Sequence, residues 1–313
     1  MKRELLQIPS DEDALMLSGI VQIPDGKIHG IVHLVHGLCE HKERYQHVLD
    51  ALCMHGYVSL IFDMRGHGKS VRCREDLGYF NDDRGVWIVN DIHQIVYQMK
   101  KRFPDLPYIL AGHSMGSLAV RCYLKRYDYE VDGAVICGSP SNNSLVLAAM
   151  GLCRCMKRVK GAYYRSPLMH RLVFHRYEHA FEEEGKNAWL CTVPEVVSAY
   201  DEDPACGFNF TLNGYQNLFY LLYNTYDEEG WIKRQPSLPV LFIAGEQDPC
   251  IVSRHAWMKA IQKMQAAGYV NLTFKLYEGA RHEILNEKCR GEVITDLIRW
   301  TDSICTDFWK RYT

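Results

Sequence analysis

Five short, almost purely apolar runs recur along this chain, each set off from the next by a helical pattern: residues 30–35, 57–63, 108–111, 133–137 and 239–244. A further strand, less apolar, follows at 272–277. Strands without a polar face cannot lie with one side in water. Alternating with helices, they require a mostly parallel sheet covered on both faces, an α/β fold. The helical stretches are 45–55, 86–103, 118–127, about 255–267 and about 289–310, and a leading antiparallel strand at 15–23 ends in Pro24-Asp25-Gly26. Between about 139 and 234 the rhythm stops, leaving helical patterns and loops but no strand. We therefore expect a core of residues 1–138 and 235–313, with a helical cap (lid) insertion at 139–234 over the carboxyl edge of the sheet, where open α/β sheets bind ligands.

Bulk properties exclude several classes. A formal net charge of −2, with 47% hydrophobic and 24% charged residues, describes an ordinary globular chain with no global attraction to nucleic acid. The longest apolar run, 145–153, is about half of the ~18 residues needed to span a bilayer. Acids at Asp11, Glu12 and Asp13 interrupt the start before any signal-like apolar segment forms. The twelve cysteines show no C-x-x-C pair and no framework spacing, so reduced thiols and a cytoplasmic location are expected. No H-E-x-x-H occurs among the fourteen histidines, and no metal or cofactor is assigned.

The chemistry centres on Gly112-His113-Ser114-Met115-Gly116, between the strand at 108–111 and the helix after it. G-x-S-x-G at a strand-to-helix junction is the pattern of a nucleophile elbow, in which a sharp turn lifts a serine Oγ out of the sheet beside a helix N-terminus. A serine hydroxyl needs a neighbouring imidazole to take its proton, and in this architecture the order is Ser, acid, His. No carboxylate lies between Asp132 and Glu178. The acid is therefore read from Gly245-Glu246-Gln247-Asp248, with Asp248 preferred to Glu246. Only His255 and His282 follow. His255 falls on the next helix, so His282, in the loop after the last strand, is the expected base. The turn after the first parallel strand, His36-Gly37-Leu38, would supply the Leu38 N–H to an oxyanion hole shared with Met115 N–H. His36 reads as a packed, loop-orienting residue.

Together, His36 to Tyr45, Asp63-Met64-Arg65-Gly66-His67-Gly68-Lys69-Ser70, Gly112 to Gly116, Gly245 to Asp248 and Tyr277 to Glu283 resemble the monoglyceride lipase and lysophospholipase group of the α/β hydrolases. The resemblance implies the α/β-hydrolase fold, a Ser114–Asp248–His282 triad, the Leu38 and Met115 oxyanion amides, and a serine hydrolase that cleaves small-molecule carboxylic esters of monoacyl lipids, monoacylglycerol or lysophospholipid, through an acyl-enzyme. Cys39 and Ser117 depart from it, standing where the group usually has glycine. Cys39 is expected to add bulk beside the oxyanion loop, so that modifying its thiol blocks acyl entry.

The 139–234 segment carries the substrate reading. Seven bases (Arg154, Lys157, Arg158, Lys160, Arg165, Arg171, Arg176) and no acid lie between Ser141 and Tyr177, a local formal charge of +7. Beside the apolar helix at 145–152 this suits peripheral contact with an anionic inner membrane surface, and equally a solvated face. Phe208, Phe210, Tyr215, Phe219, Tyr220 and Tyr223 either line an acyl tunnel or form core. Two alternatives stay open. One is an aminopeptidase of proline iminopeptidase type, with Glu178, Glu182, Glu183 or Glu184 binding the substrate amine. The other is a non-catalytic ligand-binding relative.

Overall fold

The structure is a computed structural model describing residues 1–310. Eight strands form one sheet: β1 (Lys2–Pro9), β2 (Met16–Ile23), β3 (Gly30–Val35), β4 (Tyr57–Phe62), β5 (Tyr108–His113), β6 (Gly133–Cys137), β7 (Val240–Gly245) and β8 (Leu272–Tyr277). Their spatial order is β1-β2-β4-β3-β5-β6-β7-β8. The β1–β2 and β2–β4 pairs are antiparallel and the remainder parallel. The sequence reading omitted β1. Its Lys-Arg-Glu-Leu-Leu-Gln pattern alternates poorly, because it is an outer strand that buries little more than Ile8.

The apolar strands behave as their composition demands. Every residue of β3 to β7 is buried. Along β5, Tyr108 and Leu110 join one core while Ile109 and Ala111 join the other, and β3, β4, β6 and β7 alternate likewise. The larger core is closed by α2 (Val86–Arg102), α3 (Met115–Tyr127) and α8 (Arg254–Ala266). The smaller is closed by α1 (Gln46–Met54) and α9 (Arg290–Lys310). At about 1.5–3 kcal/mol per fully buried large aliphatic side chain, this two-sided burial is the main stabilisation of the sheet.

Between β6 and β7 the described chain forms α4 (Val146–Lys160), α5 (Pro167–His179), α6 (Pro194–Glu202) and α7 (Leu212–Tyr226). Two of these begin on their sequence signals. Ser166 Oγ accepts from Met169 N–H ahead of Pro167, and Thr211 Oγ1 accepts from Gly214 N–H. Helix α7 lies against both α3 and α4.

Register decides where the loops meet. Val35 is level with Gly112 and Gly112 with Ile136, His113 with Cys137 and Cys137 with Ile243, and Gly245 with Tyr277. The segments that follow β3, β5, β7 and β8 therefore leave the sheet along one rim.

Candidate active site

Two glycines make the turn after β5 possible for backbone reasons. A Cβ on Gly112 would fall 2.4 Å from Gly116 O, and one on Gly116 would fall 2.3 Å from Val35 O. The start of α3 thus presses on the end of β3 too closely for any side chain. Between them Ser114 takes φ 53°, ψ −118°, a left-handed conformation that costs a non-glycine residue of order 1–3 kcal/mol. The turn is held by Ser114 N–H on Cys137 O at 2.9 Å and by Ser117 N–H on Ser114 O at 2.9 Å. The helix begins at Met115 rather than Leu118. The serine turn is itself the helix start, and the glycine and polar residues there hide the period.

The β7 and β8 loops meet through a third glycine. A Cβ on Gly245 would lie 2.1 Å from Arg281 O, so the backbones touch there. Asp248 and His282 are consequently adjacent and both buried, with His282 Nδ1 donating to Asp248 Oδ2 at 2.9 Å. The other carboxylate oxygen accepts from Cys250 N–H at 2.8 Å. Glu246 is exposed and His255 sits exposed on α8. The segment before α6 grips the histidine loop: His282 N–H reaches Trp189 O at 3.4 Å, Glu283 N–H reaches Leu190 O at 2.7 Å, and the Trp189 ring lies 5.2 Å from that of His282. Ser114 Oγ forms no hydrogen bond among the described residues, and His282 Nε2 has Cys250 Sγ at 4.0 Å.

Leu38, Ser114 and Met115 share a cavity of about 340 Å³. Its remaining walls include Val146, Leu152, Leu172, Phe174, Tyr177 and Trp189, and no charged side chain lines it among the described residues. Of the aromatics expected to line a tunnel, only Phe219 does so. Phe210 and Tyr215 pack in the core, and Phe208, Tyr220 and Tyr223 lean on it. Phe174, Tyr177 and Trp189 were missed because nothing in their local pattern distinguishes a lining aromatic from a core one.

Cys39 also departs from expectation. It is buried, donates to Phe208 O at 2.9 Å and is not a cavity residue. Burial pushes its thiol well above the usual range, so little reactive thiolate forms there. None of Glu178, Glu182, Glu183 and Glu184 lines the cavity. Glu178 faces His170, Glu182 His179 and Glu184 Arg281.

Behind the site lies a buried charged network that sequence reasoning treated only as a motif. Glu40 Oε1 accepts from Gly37 N–H at 2.6 Å and from Tyr45 OH at 2.8 Å. Glu40 Oε2 accepts from Arg44, whose two Nη groups also reach Glu283 at 2.6 Å each. Burial opposes the Glu40 charge, but the His113 hydrogen bond and the Arg44 charge outweigh it and hold the carboxyl well below its usual range. Loop, elbow and histidine loop are thereby braced together. His36 acts as expected of a loop orienter: its Nδ1 faces Gly37 O at 2.7 Å and its Nε2 accepts from Met64 N–H at 2.9 Å. In the 63–70 motif, Asp63 accepts from the backbone of Lys42 and Lys69, and a Cβ on Gly68 would strike its carboxylate at 2.3 Å.

The chain is similar to known proteins in sequence and in fold. The family model Hydrolase_4, described as serine aminopeptidase, S33, matches residues 26–289. A monoacylglycerol lipase of Mycolicibacterium smegmatis is 28% identical over 285 residues, 90% of each chain. A monoglyceride lipase of Mus musculus is 27% identical over 284 residues, 88% of this chain and 84% of the relative. Among solved structures, a thermostable carboxyl esterase from Bacillus coagulans in complex with glycerol superposes with TM-score 0.88 at 25% identity, covering 97% of this chain and 99% of its own.

Proposed function

Because this chain belongs to the Hydrolase_4 family of α/β hydrolases (serine aminopeptidase, S33), we propose that Ser114, Asp248 and His282 are its catalytic triad and that it cleaves carboxylic esters of monoacyl lipids. It is a carboxylic-ester hydrolase, as the lipase and esterase relatives are. The observation that carries the lipid reading is the cavity beside Ser114, apolar over nearly all its lining and free of charged side chains. Such a wall suits an acyl chain and offers no carboxylate to the free amine of a peptide. A buried ammonium without a partner would cost several kcal/mol.

In this mechanism Ser114 Oγ attacks the ester carbonyl carbon as His282 Nε2 takes its proton. Asp248 holds the Nδ1 side and stabilises the imidazolium. The tetrahedral oxygen is received by Leu38 and Met115 N–H, each worth about 3–4 kcal/mol. Collapse expels the alcohol, which leaves with the proton from His282. Water then attacks the carbonyl of the acyl–Ser114 ester as His282 takes the water's proton; collapse breaks the bond to Ser114 Oγ, which regains that proton from His282, and the fatty acid departs.

Residues 139–234 act as the cap. Leu145, Leu152 and Leu172 line the cavity and are also exposed to solvent, close in sequence to the exposed bases Arg154, Arg158, Lys160, Arg171 and Arg176. Arg165 and Lys157 are otherwise engaged, with carbonyl oxygens that include Leu77 O and with Asp83. An apolar mouth ringed by bases suits peripheral contact with an anionic bilayer. No helix among the described residues is long and apolar enough to cross one. The same reading sets the enzyme at the cytoplasmic face, where its free cysteines stay reduced.

The deciding experiment measures kcat/KM on monoacylglycerol, lysophosphatidylcholine and aminoacyl-anilide substrates, with Ser114→Ala as control. Hydrolysis of the acyl esters, abolished in the variant and accompanied by loss of fluorophosphonate labelling, supports the proposal. Preference for the anilides, or activity surviving in Ser114→Ala, rejects it.

A further inference from the structure

Away from the cavity, His41, Asp203 and Cys206 bring one nitrogen, one oxygen and one sulfur donor together, all within 4.8 Å of one another. We propose that this cluster is a binding site for a zinc-class transition cation joining the oxyanion-side loop to the 203–206 turn. The proposal is independent of the ester-hydrolase reading.

An ion pair between His41 and Asp203 would account for the 2.9 Å contact of His41 Nε2 with Asp203 Oδ2. It would not account for a thiol beside both, since a thiol adds little to such a pair. Imidazole, carboxylate and thiolate are the donors zinc takes, at about 2.0–2.3 Å. Three such ligands leave a fourth, water-filled position. Around a tetrahedral ion, donors bonded at those lengths stand somewhat over 3 Å apart, so donors that now lie within 4.8 Å of one another must draw together to close on one.

Two features show preorganisation. Asp203 and Cys206 come from a single turn, closed by Cys206 N–H on Asp203 O at 2.9 Å, and Gly207 N–H on Cys39 O at 3.0 Å fixes that turn against the His41 loop. The second ring nitrogen, His41 Nδ1, faces Glu43 Oε2 at 2.7 Å. A carboxylate on the far nitrogen is the usual outer-shell partner of a metal-bound histidine, fixing its tautomer and raising its basicity.

Charge and access agree. The neighbouring cations Arg44 and Lys42 pair with Glu40 and Glu283 and with Asp63 and Glu43, respectively, so neither forms an ion pair with Asp203. The His41 side chain is 12% exposed and that of Asp203 34%, so an ion can arrive from solvent, while Cys206 lies on the buried side. On binding, the Cys206 thiol releases its proton and His41 releases the one on Nε2, and both go to solvent.

The test uses the full chain, reduced and stripped with a chelator, titrated with Co²⁺ as a spectroscopic stand-in and with Zn²⁺ by calorimetry. One equivalent of Co²⁺ should bind with a thiolate-to-cobalt charge-transfer band and tetrahedral d–d bands, displaced by Zn²⁺. In Cys206→Ser the charge-transfer band should vanish and Zn²⁺ affinity fall by tenfold or more. In Glu43→Gln the band should remain while affinity drops roughly 10–100-fold. Asp203→Asn provides a second ligand variant should Cys206→Ser lose its native circular dichroism. A second triplet, Asp248, Cys250 and His282, supplies the contrast. Binding kept in Cys206→Ser but lost in Cys250→Ser overturns the proposal, as does a failure to bind one equivalent.

Discussion

At the scale of single residues, the tightest constraints here are steric and electrostatic. Gly116→Ala must push its Cβ off Val35 O, and the backbone on both sides is fixed. We expect a loss of roughly 3 kcal/mol or more in denaturant unfolding, together with loss of fluorophosphonate labelling. Gly151 is the control. It sits inside α4 with nothing within 4 Å of a Cβ, so Gly151→Ala should stabilise by about 0.5–1 kcal/mol. Two buried histidines make the fold acid-sensitive. Burial lowers His33 and His67 from 6.5 to about 3, so both stay neutral in the folded protein. Between about pH 6.5 and 3 the unfolded chain binds protons that the folded chain does not, and stability falls with falling pH at up to about 1.4 kcal/mol per unit per group. The midpoint of thermal unfolding should drop as pH is lowered from 7 to 5, and less steeply in His33→Asn. Equal slopes would contradict the assignment.

At the scale of elements, the brace behind the site matters more than any one strand. Arg44 satisfies Glu40 and Glu283 together, so Arg44→Met takes the shared cation from two buried carboxylates. A cost of about 3–5 kcal/mol in unfolding free energy is expected. Because Glu40 also holds Gly37 N–H, kcat should fall more than KM changes. A variant that loses neither stability nor kcat would show the network to be incidental. Sequence spacing revealed the partners only as an E-H-x-x-R-Y motif. Glu283 lies 239 positions from Arg44, and Asp203 lies 162 from His41, so their pairings are invisible to any local pattern. Element types were far easier to read, since burial of both sheet faces leaves a continuous apolar signature. The errors came where that signature weakens: β1 at the sheet edge and the first residues of α3.

At the scale of the whole molecule, the cavity mouth and its basic surroundings predict interfacial behaviour. Partitioning onto anionic vesicles should weaken with rising salt, and Arg158→Gln with Arg171→Gln should reduce it by roughly tenfold or more, at about 1 kcal/mol per base near the lipid. Partitioning unchanged by salt and by both substitutions would remove the membrane from the proposal. The chain by itself determined the sheet, the order of nucleophile, acid and base candidates, and the glycines of the elbow, because these follow from periodicity and from residue types that only one geometry tolerates. Tertiary structure alone decided which aromatic residues face the cavity, that Cys39 is turned into the core, and that a histidine, an aspartate and a cysteine meet beside the loop after β3. Those outcomes depend on which distant surfaces pack together, and packing between segments far apart in the chain leaves no periodic mark on either one.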